Sequence, residues 1–154
     1  MITIRDYQEC DCETLAQIFI RAVRQIARRD YSPAQIAAWA PDIDDMAAFA
    51  ARRGDKPTFV AEYDGQVAGF TDLDNEGHID MFYVSPDFQR RGVGSAMLRF
   101  ITARAQSERV KRLYGEVSIT ARPVFERHGF KVLAYQTVQT NGQALGNYRM
   151  EKLL

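Results

Sequence analysis

The sequence holds little that would tie it to a metal, a membrane or a polyanion. Only two of its 154 residues are cysteine, Cys10 and Cys12. A lone C-x-C with no His or further Cys nearby has too few ligands for a structural zinc site, so no metal is expected and the pair reads as two reduced thiols. No apolar run approaches the roughly 20 residues that a membrane span requires. Net charge is absent too, with twenty Lys+Arg against twenty Asp+Glu. That balance argues against bulk attraction to nucleic acid or to an anionic membrane. The opening residues, Met1 to Asp6, lack the charged, then apolar, then small layout of a signal peptide, so a cytoplasmic location is expected. Repeats, linkers and low-complexity stretches are also missing. The expectation is a single domain over residues 1–154, since a chain of this length buries roughly 68–70% of the surface it exposes when unfolded.

What is present is a mixed pattern of periods. Thr3 to Tyr7 reads as a strand, and Cys12 to Arg29 carries Leu15, Ile18, Phe19, Ala22, Val23 and Ile26 at helical spacing. Ser32-Pro33 supplies an N-cap and a first-position proline for a second helix through Trp39. Asp42 to Asp45 opens a third, which runs to about Arg53 and ends at Gly54. From Pro57 the period becomes strand-like. Thr58 to Tyr63 and Gln66 to Leu73 flank Asp64-Gly65, a tight-hairpin dipeptide. A third run, His78 to Val84, precedes a helix from about Gly92 to Ser107 and a strand from Leu113 to Ser118. A short helix over about Ala121 to His128 stops at Gly129. Lys131 to Thr140 and Gln143 to Lys152 then form a second hairpin around Asn141-Gly142. The order implies an α/β fold, with residues 78–118 forming a right-handed parallel crossover.

The chemistry concentrates in Val84 to Leu98. Gly92 and Gly94 fall where a loop becomes the first turn of a helix, leaving unpaired N–H groups at the positive end of the dipole, a phosphate-binding arrangement. A P-loop would need a Lys after the glycines, and a dinucleotide fingerprint would need a third Gly where Met97 stands. Neither fits. Two glycines that simply cap a helix remain the plain alternative.

Gln89-Arg90-Arg91-Gly92-Val93-Gly94 resembles the Q/R-x-x-G-x-G/A signature of the GNAT N-acetyltransferase superfamily, and Phe82-Tyr83-Val84 followed by Pro86 looks like that family's strand exit. Ala121 to Phe130 is similar to its second motif. The resemblance implies a single-domain GNAT-like fold: a mixed, mostly antiparallel sheet with a central parallel pair and helices on both faces. It implies acetyl-CoA as cosubstrate, an amine acceptor, and no nucleic-acid or membrane partner; a homodimer is one arrangement the sequence admits. The cofactor contacts it implies are Phe82, Tyr83 and Val84 along pantetheine, Gln89, Arg90, Arg91, Gly92, Val93, Gly94 and Ser95 around the phosphates, and Ser118 and Phe125 beside the arm. Local charge agrees: residues 85–112 hold seven basic against two acidic residues, whereas residues 41–80 hold three against ten.

Acetyl transfer needs an unprotonated amine, and deprotonating a lysine-like amine at pH 7 costs roughly 4–5 kcal/mol. His78 stands where the histone-acetylating branch of the family carries its catalytic Glu, and an imidazole is suited to general-base work near neutral pH. Strand alternation places Asp80 beside it, together with Phe82, with Ile79, Met81 and Tyr83 on the opposite face. His78 and Asp80 are therefore the catalytic candidates, Asp80 orienting the imidazole or acting through water. His128, at a helix C-terminus, reads as structural. Phe125 departs from the family pattern, because many relatives carry there a Tyr that protonates the leaving sulfur; either the thiolate, a tolerable leaving group, departs without that acid, or Tyr114 or Tyr31 replaces it. Tyr31, Gln35 and Trp39 share one helical face and, with Glu76 and Glu116, are the candidate acceptor wall. The function implied is acetyl transfer to a primary amine of a small molecule or protein; the alternative is a non-catalytic acyl-CoA sensor.

Overall fold

The computed structural model describes residues 1–154. Its strands are β1 (Ile2–Asp6), β2 (Thr58–Tyr63), β3 (Gln66–Asp72), β4 (His78–Ile79), β5 (Phe82–Val84), β6 (Arg112–Ser118), β7 (Lys131–Thr140) and β8 (Gln143–Leu153). Its helices are α1 (Cys12–Arg21), α2 (Pro33–Trp39), α3 (Met46–Gly54), α4 (Val93–Ser107) and α5 (Arg122–Arg127). Both hairpin dipeptides take positive φ, 49° and 83° at Asp64-Gly65 and 47° and 85° at Asn141-Gly142. That is the conformation a two-residue turn demands for the strands to pair with their natural twist.

The strands form two four-stranded sheets, β1-β2-β3-β5 and β4-β6-β8-β7. All pairs are antiparallel except β4 with β6, where His78 lies opposite Tyr114 and Ile79 opposite Gly115. This is the mixed, mostly antiparallel architecture expected, and α4 makes the crossover. Gly77 lets β4 come in against β6: its φ is +95°, and a Cβ there would lie 1.9 Å from the Arg112 carbonyl oxygen.

Helices cover both faces. On one, Leu15 and Ile18 of α1 and Phe49 of α3 pack on Val60 and Phe70. On the other, Val93 and Met97 of α4 pack on Ala61 and Ala68. The same helix continues beneath the second sheet, burying Leu98 and Ile101 with Leu113 and Met150. Complete burial of such side chains stabilises the fold by about 1.5–3 kcal/mol each. A third cluster ties Val23, Tyr31 and Ile36 to Leu145 of β8.

Three expectations need correction. The helical run over residues 12–29 is α-helical only to Arg21, then widens into a π turn over Ala22–Ile26 and tightens into a 3₁₀ turn over Ala27–Arg29. Along it the buried face passes from the cluster with Leu15 and Ile18 to the one with Val23 and Ala27. The third helix begins at Met46, because the Asp45 carboxylate caps it by accepting from the Ala48 N–H at 3.0 Å. Finally, the run from His78 to Val84 is two strands belonging to different sheets.

Candidate active site

The break between β4 and β5 is built by two side chains at the end of β3. Asp72 is fully buried, and its Oδ1 accepts from the backbone N–H groups of Asp80 at 2.8 Å and Met81 at 3.1 Å. Thr71 Oγ1 donates to the Met81 carbonyl at 2.8 Å. These side-chain bonds, with a backbone bond from the Asp72 N–H to the Met81 carbonyl at 3.2 Å, hold residues 80 and 81 as a bulge. Burial pushes the Asp72 carboxyl above the usual carboxylate range, opposed by the two N–H groups and by Lys56, whose Nζ lies 3.6 Å away.

The bulge also changes which residues share a face. Strict alternation separates Ile79 from Phe82; instead both pack on the α4 side, while Met81 and Tyr83 pack on the α1 side. The expectation that His78, Asp80 and Phe82 share a face is therefore wrong. One extra residue shifts the period by one.

Beyond the bulge the sheets diverge and leave a cleft between β5 and β6. It has a volume of about 60 Å³, with Phe82, Tyr83, Ser118 and Phe125 in its walls and Trp39, Asp80 and Glu116 also lining it. Antiparallel alternation directs the N–H groups of Phe82 and Val84 away from β3, toward this opening. Phe82 and Phe125 meet edge to face at 4.9 Å between ring centroids. Ser118 Oγ accepts from the Ala121 N–H at 3.0 Å, ending β6 and starting the turn into α5.

The glycine loop follows β5. Gln89 Nε2 donates to the Val84 and Ser85 carbonyls at 3.2 and 3.3 Å, folding the loop back on its strand. Arg90 and Gly92 adopt left-handed conformations, φ 62° and 82°. Gly92 is the N-cap of α4 and has no side chain to cap it, so the N–H groups of Val93, Gly94 and Ser95 stand at an uncapped helix start. The Arg91 guanidinium lies over the Tyr63 and Phe88 rings at 5.4 and 5.7 Å. Of the basic residues in this segment, Arg104 is paired with Glu108 and Arg112 with Glu151, while Arg90, Arg91 and Arg99 have no carboxylate partner. An open strand edge leading to an uncapped helix start suits a ligand with an amide-bearing arm and phosphates at its far end.

The polar candidates divide into three groups. His78 Nε2 lies 2.9 Å from Glu116 Oε1, and the imidazole packs on Tyr114 at 5.0 Å. Glu116 lines the cleft and His78 stands behind it. Asp80 lines the cleft as well, half-exposed, with Lys56 Nζ 3.9 Å from its carboxylate.

Trp39 and Tyr83 are aromatic residues of the cleft lining, and Tyr31 packs on Trp39 outside it. The Tyr31 hydroxyl donates to the Gly146 carbonyl at 2.6 Å and accepts from the Ile119 N–H at 3.0 Å, so both its functions are engaged with backbone. Trp39 meets Tyr31 edge to face at 5.1 Å, and its Nε1 donates to the Tyr83 hydroxyl at 3.3 Å. Gln35 faces β8, donating to the Ala144 carbonyl.

The remainder sit elsewhere. Glu76 is in the exposed turn before β4 and does not reach the cleft. Tyr114 lies beneath the Arg112 guanidinium, 4.2 Å from its ring, outside the cleft walls. His128 is not a favoured cation: burial, with Arg99, Lys152 and Arg127 nearby, holds its imidazole below the usual range. Sequence reading missed Asp72 and the hydroxyl of Tyr83; the only signal for Asp72 is an acid closing an otherwise apolar strand.

A sheet opened at a bulge, with a glycine-rich helix start at the end of the opening, defines a class of transferase folds that grip an extended cofactor between two strands. Residues 27–152 match the family described as Acetyltransferase (GNAT) domain, and the chain belongs to that family. It is 40% identical over 149 residues to the uncharacterized N-acetyltransferase YafP of Escherichia coli (strain K12), covering 97% of this chain and 94% of that protein. A crystal structure of a GCN5-related N-acetyltransferase from Rhodopseudomonas palustris superposes with a TM-score of 0.94 at 35% identity, over 99% of this chain and 95% of the other. The PaiA N-acetyltransferase of Thermoplasma acidophilum, solved in complex with coenzyme A, shares the fold with a TM-score of 0.80 at 17% identity, over 100% and 99% of the two chains.

Proposed function

We propose that this chain is an acetyl-CoA-dependent N-acetyltransferase that acts on a primary amine of a small molecule or protein. The observation that carries the reading is the cleft between β5 and β6, with an uncapped helix start beyond one end and two carboxylates, Asp80 and Glu116, along it. In this reading the N–H groups of residues 93–95, with Arg90 and Arg91, hold the phosphates of the cosubstrate. The open edge of β5 pairs with the pantetheine amides, and Phe82, Phe125 and Ser118 flank the arm. A β5 N–H polarises the thioester carbonyl, a preorganised donor of the kind that stabilises developing oxyanions.

The acceptor enters past Trp39. Asp80 and Glu116 attract its ammonium form, and Glu116, paired with His78 at 2.9 Å, takes the proton that frees the nitrogen lone pair. In this reading His78 supports the carboxylate and does not touch the amine. Steady-state kinetics on Glu116→Gln and His78→Ala test this. Turnover near neutral pH is expected to fall by 10²–10⁴ for Glu116→Gln, the usual range for a lost proton-transfer group, and by less for His78→Ala. Acetyl-CoA affinity should be unchanged in both. Full turnover by Glu116→Gln would remove it as the base.

A further inference from the structure

The transfer proposed above leaves a thiolate that needs a proton, and Phe125, at the family's usual position for the donor, has none to give. Of the two tyrosines that the sequence offers in its place, Tyr31 has its hydroxyl engaged with two backbone groups and Tyr114 lies outside the cleft walls. One tyrosine does line the cleft, and that is Tyr83. Its ring is fixed by Phe19 at 5.0 Å, Phe70 at 5.8 Å and Trp39 at 6.5 Å between centroids. Its hydroxyl accepts from Trp39 Nε1 and makes no other hydrogen bond with the protein, so its own proton is directed to no protein acceptor. A Trp N–H can only donate, which obliges the tyrosine to use its proton on something else.

Resting on the acetyltransferase reading, we propose that Tyr83 is the proton donor to the departing CoA sulfur. The amine nitrogen bonds to the acetyl carbon as the C–S bond breaks, and the electron pair of that bond goes to sulfur. The ammonium proton that Glu116 took before attack goes to solvent; Tyr83 gives its hydroxyl proton to the sulfur, and the second proton, lost by nitrogen as the amide forms, passes to Glu116 and returns through solvent to the Tyr83 phenolate. The products are the amide and the CoA thiol. Burial pushes the Tyr83 hydroxyl above the ordinary phenol range, so the donor form is the resting form at neutral pH. Tyr83 is also one residue from the β5 N–H groups that face the cleft, which places donor and oxyanion site on one short strand.

Tyr83→Phe keeps the ring and removes the hydroxyl, and with it both the proton and the acceptor of the Trp39 N–H. The expected result is a 10²–10³-fold loss of kcat, with acetyl-CoA Kd within twofold of wild type and a melting temperature lowered only by the loss of the Trp39 hydrogen bond. The solvent deuterium isotope effect on kcat in the wild type should shrink in the variant to the share contributed by proton transfer to Glu116. Adding Phe125→Tyr to Tyr83→Phe should restore at least tenfold of the lost rate. Wild-type kcat in Tyr83→Phe overturns the proposal, and so does a slowed variant that keeps the full isotope effect. A wild-type protein that binds acetyl-CoA but releases no thiol with any amine would remove the acetyltransferase reading itself, and this assignment with it.

Discussion

The most searching perturbation of the fold is at Asp72, because one carboxylate oxygen there determines where the sheet opens. Asp72→Ala removes the acceptor of two buried N–H groups, those of Asp80 and Met81. Each buried donor left unpaired costs about 1–3 kcal/mol, so the variant should lose about 2–6 kcal/mol. For a domain of this size that corresponds to a fall in Tm of about 5–20 °C. Asp72→Asn separates geometry from charge. Both N–H groups bond to Oδ1, while Oδ2 has no hydrogen-bond partner, so an amide can keep the first and replace the second. Its stability should lie within about 1 kcal/mol of wild type, the net value of one ordinary hydrogen bond. The sign of the pH dependence follows from the raised folded-state pKa of Asp72. The folded protein holds that proton more tightly than the unfolded chain, so wild type loses stability as pH rises through the carboxylate range. Asp72→Asn should therefore gain on wild type over that interval and hold a constant difference above it. Urea melts at several pH values and calorimetric titration with acetyl-CoA supply the data. Acetyl-CoA affinity should drop at least tenfold in the alanine variant and persist in the asparagine variant. Equal stability and affinity of the two would refute the idea that this carboxylate shapes the cleft.

Three further outcomes are expected. Gly92→Ala, at φ 82°, should cost about 1 kcal/mol through left-handed strain and weaken acetyl-CoA binding more than it alters kcat, read by thermal melts and kinetics. Tyr31→Phe should destabilise by about 1–3 kcal/mol, since it leaves the Ile119 N–H without its partner, while kcat stays at the wild-type value; a large fall in kcat would return Tyr31 to the chemistry. Hydrogen bonds from Arg5, at 2.8 Å to each oxygen, hold the Asp11 carboxyl below its usual range. That stability is present above the unfolded value of about 3.9 and lost as pH falls through the folded one, so Arg5→Met should flatten the acid limb of the stability curve.

Much of this architecture is legible in the residues. Asp64-Gly65 and Asn141-Gly142 specify their turns because few other dipeptides tolerate two positive φ angles. Gly92, at φ 82°, marks the helix start for the same local reason. The bulge at residues 80 and 81 is not legible, since its cause lies eight and nine residues earlier in Asp72 and acts only once β3 is in place. Strict alternation across His78 to Val84 consequently misassigns the faces, and Tyr83 is read as a backbone contact rather than as a side chain bonded to Trp39. The pairing of His78 with Glu116 is hidden likewise, because parallel strands bring together residues separated by a whole crossover helix. Glu76 is the converse case: close to His78 in sequence, it is carried away by the turn that Gly77 ends.

Acetyl transfer to an amine is the activity proposed for the cleft between β5 and β6. The direct measurement is parallel detection of CoA thiol and acetylated product when the purified chain meets acetyl-CoA and a panel of primary amines, including polyamines, amino acids and peptide termini. Thiol release and N-acetylated product are expected in equal amounts for at least one cationic amine. Saturable acetyl-CoA binding with no thiol above the hydrolytic background, across the whole panel, would contradict that proposal and favour a cofactor-sensing role.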